Sequence, residues 1–132
     1  LEAGISDLSN LIYYGSFSHN SGYEMMRQAL KTAPRPTAVL AANNFITLGA
    51  LQAVQEANFN VPQDIAMVGF DDLPLIMSTF PFFTVATQPA YRMGQRATQL
   101  LITRLENPLP KKFEEIIFPV DIIIRRSSGE NR

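Results

Sequence analysis

The chain has 132 residues, 46% of them hydrophobic and 17% charged, enough for one globular domain with a buried core. Its formal net charge is −1 and its pI about 5.8, with lysines and arginines scattered except for Lys111-Lys112 and Arg125-Arg126, so the chain carries no nucleic-acid footprint of its own. It has no cysteine and a single histidine, His19, which excludes disulfides, thiolate metal sites, cysteine nucleophiles and multi-histidine metal centres within it; no apolar run is long enough to span a membrane, and the N-terminus lacks a signal-peptide pattern.

The sequence starts without Met, and Leu1 to Ile5 reads as a helix end with Gly4 in the left-handed capping position, as expected of a segment of a longer protein. Leu11 to Gly15 (LIYYG) is predicted to be the first strand. A helix is expected from about Asn20 to Thr32, capped by Ser18, with Tyr23, Met26, Ala29 and Leu30 on one face. Pro34 and Pro36 close it and set up a buried strand from Thr37 to Ala42. Asn43 and Asn44 follow, either of which can cap the next helix, Phe45 to Ala57, whose stripe is Ile46, Ala50, Ala53, Val54 and Ala57. Gly49 inside that helix costs about 1 kcal/mol relative to Ala, which points to close packing against the sheet.

After a Val61-Pro62 turn comes a second buried strand, Ile65 to Gly69, and then an acidic pair, Asp71 and Asp72. The stretch LPLIMSTFPFF is too rich in proline for a helix; Leu75, Ile76, Met77 and Phe80 are expected to pack under a loop or against another subunit. Phe83 to Thr87 is a further short strand, and Gln88-Pro89 opens a helix with Met93, Ala97, Leu100, Leu101 and Leu105 on its apolar face, ended by Asn107-Pro108. Two extended segments, Phe113 to Phe118 and Asp121 to Arg125, are separated by Pro119, and the tail SSGENR is expected to fray.

The two central strands are continuous apolar runs without alternation, the pattern of a parallel sheet covered by helices. The fold class is therefore α/β: an open, mostly parallel sheet with helices on both faces, a three-layer αβα arrangement. Small ligands bind such sheets outside the carboxyl ends of the strands, which makes Asn43, Asn44, Asp71 and Asp72 the functional rim. One asparagine is explained as a helix cap, and the spare amide is a candidate ligand contact. The aspartates could be a solvated turn pair, a metal or phosphoryl site, or a hydroxyl-binding pair. The neighbouring strand ends carry Asn43, Asn44 and Gln88 rather than more acids and a lysine, so hydroxyl binding fits better. Gln88 is a helix cap or a cleft amide, Phe17 a packed loop aromatic or a stacking platform, and His19 a solvated first-turn residue. No nucleophile-base pair, glycine-rich phosphate loop or zinc spacing is present, and GSFSHNSG lacks the dinucleotide fingerprint; no metal or cofactor is expected.

The ordered run GSFSHNSGYE, PTAVLAANNFITLGALQAVQEA, VPQDIAMVGFDDLPL, FTVATQPAYRMGQRATQLLITRL and FPVDIIIRRSSG resembles the effector-binding core of the LacI/GalR family of bacterial transcription regulators, over about Leu11 to Gly129. The resemblance implies a periplasmic-binding-protein-like lobe. Residues 1–10 would end a preceding element and crossover, 11–86 form the C-terminal lobe, 87–112 cross to the N-terminal lobe, and 113–132 return as strands and tail. It implies a small-molecule effector, a sugar or a related polar molecule, contacted by Asp71, Asn43, Gln88 and Phe17, with Asn44 standing where the family usually has aspartate. An arginine often found near the cleft in that family has no clear counterpart. It further implies a non-enzymatic cytoplasmic regulator, a homodimer through the helix from Phe45 and the loop after Asp72, with DNA read by an N-terminal helix-turn-helix domain and most of the N-terminal lobe lying outside the chain. The rivals are a periplasmic sugar receptor for transport or chemotaxis and a doubly wound enzyme using Asp71 as acid or metal ligand.

Overall fold

A computed structural model describes residues 10–73, 81–107 and 113–129. The element order is α1 (His19–Ala29), β1 (Ala38–Ala41), α2 (Asn44–Glu56), β2 (Ala66–Phe70), β3 (Thr84–Thr87), α3 (Ala90–Glu106) and β4 (Asp121–Ile123), followed by a 3-10 turn, Arg126–Ser128. The four strands lie in the order β1-β2-β3-β4. β1 to β3 are parallel and β4 runs antiparallel along β3, with Ala41 opposite Gly69, Phe70 opposite Ala86 and Thr87 opposite Asp121. The open, mostly parallel α/β sheet is thus as read from the sequence, and the carboxyl ends of its three parallel strands fall along one edge.

The core lies between that sheet and α1 and α2. Met26 and Ala29 of α1, Ala50, Ala53 and Val54 of α2, Ile65 just before β2, Met67 of β2 and Val85 of β3 are buried together. Val39 and Met67, partners in the ladder, face this layer; Leu40 on the alternate face is 72% exposed. The described residues therefore supply helical cover on one face of β1 and β2. None of the residues of α3 is buried, and its expected apolar face, including Met93, Leu101 and Leu105, is exposed among the described residues.

Helices α1 and α2 meet at backbone distance because glycines stand at the contact. A Cβ at Gly22 would lie 2.3 Å from the Ile46 carbonyl oxygen, and one at Gly49 1.9 Å from that of His19 and 2.7 Å from the Tyr23 nitrogen. Gly49 thus packs closely against α1 rather than against the sheet, as its place in α2 had suggested. The sheet contact is made by Thr47, whose Oγ1 would be 2.8 Å from a Cβ at Gly69. The far turns are joined by Tyr23, which donates to Glu56 Oε2 at 2.5 Å. This hydrogen bond raises the Tyr23 phenol above its ordinary pKa and lowers the Glu56 carboxyl below its own.

Three further expectations need correction. Leu11 to Gly15 forms no strand. Leu11, Ile12 and Tyr13 line a cleft of about 480 Å³ together with Val39, Leu40 and Ala41 of β1, and among the described residues no backbone ladder joins the two segments. Phe113 to Phe118 likewise stays outside the sheet, and only Asp121–Ile123 pairs. The start of the tail does not fray as expected, since Ser127 is fully buried and bonded to Thr84 and Met67 within the 3-10 turn; the readings at Gly4, Leu75, Ile76, Met77, Phe80, Pro108 and Lys111-Lys112 and the last three residues of the tail lie outside the described residues.

The α1–α2 contact gives a test. In an open helix Gly→Ala gains about 1 kcal/mol. Here Gly49→Ala drives a methyl into the backbone of α1, and the expected result in urea unfolding is a loss of about 1 to 3 kcal/mol.

Candidate functional site at the strand ends

Each parallel strand hands a polar residue to the same edge. After β1, Asn43 leaves the strand in extended conformation and caps α2; its Oδ1 accepts from the Phe45 and Ile46 N–H groups at 2.8 and 3.4 Å. Of the two asparagines, Asn43 is therefore the cap residue. Asn44, the first helical residue, points its Nδ2 to the Asp72 carbonyl oxygen at 3.3 Å. The cap oxygen is committed to the helix, but Asn43 Nδ2 has no acceptor among the described residues.

After β2, Asp71 adopts a left-handed backbone, φ 63°, a region that costs a non-glycine residue about 1 to 2 kcal/mol. Its N–H donates to the Ala86 carbonyl oxygen at 2.9 Å, and its carboxylate Oδ2 accepts from Gln88 Nε2 at 3.1 Å. The aspartate and the glutamine expected from neighbouring strand ends are thus joined directly. Among the described residues, Asp71 Oδ1 and Gln88 Oε1 are left as acceptors beside the Asn43 donor. That combination suits a ligand rich in hydroxyl groups, which both donate and accept.

Phe17 precedes the α1 cap Ser18 and is 76% exposed. The first turns of α1 and α2 touch at Gly22 and Ile46, so the segment carrying Phe17 emerges at the same end of the layer as Asn43. Ser18 accepts from the Ser21 N–H, as its predicted role requires. His19 is the first residue of α1 and is partly buried.

The second aspartate has a different role. Asp72 is paired with Arg125 in a two-pronged contact, Nη1 to Oδ1 at 2.8 Å and Nη2 to Oδ2 at 2.5 Å, and the same Nη1 donates to the Phe83 carbonyl oxygen at 2.9 Å. The Arg125 hydrogen bonds hold the Asp72 carboxyl below the usual carboxylate range, and the partnership raises the guanidinium. Arg125 is fixed in turn: its N–H donates to Thr84 Oγ1 at 2.8 Å, while Ser127 Oγ accepts from the Thr84 N–H and donates to the Met67 carbonyl oxygen. Sequence reading did not find Arg125. Its only signal was an arginine pair closing an apolar strand, and the partner lies 53 residues away.

Among the described residues no group of three or more His, Cys, Asp and Glu could hold a metal ion, and no helix is long and apolar enough to cross a membrane.

Residues 1–128 match the family of periplasmic binding protein-like domains. The HTH-type transcriptional repressor PurR of Mannheimia succiniciproducens is 34% identical over 126 residues, 96% of this chain and 37% of the relative. The ribose operon repressor of Escherichia coli is 39% identical over 94 residues, 71% of the chain and 28% of the relative. Among solved structures, the transcriptional regulator CelR in complex with cellobiose superposes with a TM-score of 0.84 at 31% identity, covering 96% of this chain and 38% of that one. The chain thus spans well under half the length of the proteins it matches.

The Asp72–Arg125 pair predicts a pH dependence. Because the folded-state pKa of Asp72 is lowered, the pair's contribution is complete above the unfolded carboxylate value of about 3.9 and is lost as pH falls through the folded value. With the Asp72 side chain 36% exposed and that of Arg125 16% exposed, Asp72→Asn is expected to cost on the order of 1 kcal/mol at pH 7. Thermal unfolding from pH 7 to pH 2.5 should show the gap between the two proteins closing at the acid end.

Proposed function

The chain belongs to the LacI family of transcriptional regulators, within the periplasmic binding protein-like effector-binding domain, and from that premise we propose that its strand-end rim is one wall of a sugar-binding cleft. The observation that carries this reading is the direct Asp71–Gln88 hydrogen bond at the ends of adjacent strands, with the Asn43 amide at the end of the next. In it, Asp71 accepts from sugar hydroxyls, Asn43 and Gln88 complete the polar edge, and Phe17 stacks on the apolar face of the ring. Asn44 braces the rim through the Asp72 carbonyl instead of touching the ligand. The names of the relatives support a sugar: one represses a ribose operon and another is complexed with cellobiose.

In the same reading residues 11–86 form the C-terminal lobe, 87–112 cross to the opposite lobe and 113–132 return. The exposed apolar face of α3 supports such a crossing, since it calls for a covering element. The protein acts without catalysis, in the cytoplasm, as a homodimer through α2 and the loop after Asp72. The effector shifts the arrangement of the two lobes by binding one of them more tightly, and a separate domain reads the operator. The named relatives are two repressors and a transcriptional regulator, which favours a regulator over a transport receptor or an enzyme.

A charge-assisted hydrogen bond contributes about 1.5 to 3 kcal/mol. Calorimetric titration with ribose, glucose and cellobiose is expected to show binding of at least one sugar and a loss of about 10- to 100-fold in its affinity for Asp71→Asn. Binding unchanged in that variant would remove Asp71 from the site.

A further inference from the structure

The rim aspartate sits at a left-handed turn of the backbone. Asp71 has φ 63°, in the left-handed region that residues other than glycine adopt uncommonly, and three tethers hold the chain around it. The tether on the β2 side of Asp71 is its N–H bond to Ala86, and Asn44 Nδ2 holds the Asp72 carbonyl at 3.3 Å. The third is the Arg125 fork, with two charge-assisted bonds to Asp72 and one bond to the Phe83 carbonyl at the start of β3. A single planar group therefore spans from the residue next to Asp71 to the residue that leads into β3, the strand Gln88 follows. The Arg125 backbone is anchored by the Thr84 hydroxyl, and the Ser127 hydroxyl ties the following turn to Thr84 and Met67.

We infer that Arg125 is a positioning residue for the effector site: by clamping Asp72 to the base of β3 it fixes the direction of the Asp71 carboxylate and its register with Gln88. The inference rests on the reading of the rim as the effector site. It makes the C-terminal segment, remote in sequence from every ligand contact, part of what sets effector affinity. The fork geometry is specific to arginine. A lysine offers one compact charge and cannot bridge both carboxylate oxygens and the Phe83 carbonyl with a rigid plane.

The first test needs no ligand. In the Arg125→Lys and Asp72→Asn variants, the Gln88 side-chain amide resonance is expected to move from its hydrogen-bonded position toward that of a free amide. Hydrogen exchange at the Asp71 N–H should rise at least tenfold, while Met67 and Val68 in β2 keep the rates of the unmodified protein. Arg125→Met gives the same result where it folds; the two milder variants decide the matter where it does not. An unmoved Gln88 resonance with unchanged Asp71 exchange would overturn the inference.

The second test uses ribose as the probe. Arg125→Lys is expected to weaken its binding about tenfold in the otherwise unchanged protein and to have no further effect in an Asp71→Asn background, because Arg125 acts through Asp71. Independent, additive losses would overturn the positioning role, since general destabilisation would act in both backgrounds. Absence of sugar binding in the unmodified protein would count against the proposed function, and the ligand-free resonance would still decide the inference.

Discussion

The contact between α1 and α2 at Gly22 and Gly49 sets the geometry from which the rim follows. Neither position has room for a side chain, because carbonyl groups of the opposite helix occupy the space a Cβ would take. Glycine in a helix interior costs conformational entropy, about 1 kcal/mol at each position relative to alanine. The return is an approach close enough for Met26, Ala29, Ala50 and Ala53 to share one buried layer over β1 and β2. The consequence for function is positional. With the first turns of the helices in contact, their caps Ser18 and Asn43 stand at the same end of the layer, and Phe17 and Asn43 are delivered to the edge where β2 and β3 deliver Asp71 and Gln88.

That edge divides its polar groups between structure and availability. Asn43 uses its oxygen to cap α2, and Asp72 is consumed by Arg125. Asn44 is consumed by the Asp72 carbonyl and the Phe45 N–H. Among the described residues, one oxygen each of Asp71 and Gln88 and the nitrogen of Asn43 are left without a partner at this edge, a small set with both donors and acceptors. Beneath the rim the polar groups are closed off: Ser127, fully buried, bridges the Thr84 N–H and the Met67 carbonyl where the β2–β3 ladder begins. Among the described residues no buried side-chain polar atom lacks a partner.

The sequence made some of this legible and left some hidden, for physical reasons. The unit from β1 through α2 to β2 could be read because its strands are unbroken apolar runs and its helix starts at an asparagine cap, both local signals. Strand ends marked Asp71 and left Gln88 as a cap or a cleft amide, the family resemblance singled the two out, and the structure joins them by a hydrogen bond. What local pattern cannot give is the partner. Leu11 to Gly15 has strand-like composition but pairs with no strand among the described residues, and the apolar stripe of α3 says that a face wants covering without saying what covers it. Gly49 signalled close packing, yet a glycine does not record whether a sheet or a helix comes close. Arg125 escaped entirely, because an ion pair formed across 53 residues leaves no periodicity to detect.

The claim on which the account turns is that ligand binds at the strand ends and not in the apolar cleft beside β1. The direct measurement is a titration of the isotope-labelled protein with ribose, glucose and cellobiose, followed by the chemical shifts of its backbone amides. The account predicts saturable shifts centred on Asn43, Asp71 and Gln88, with Tyr13, Met25 and Val39 around the cleft unmoved. Shifts centred on the cleft residues, with the rim silent, would contradict it.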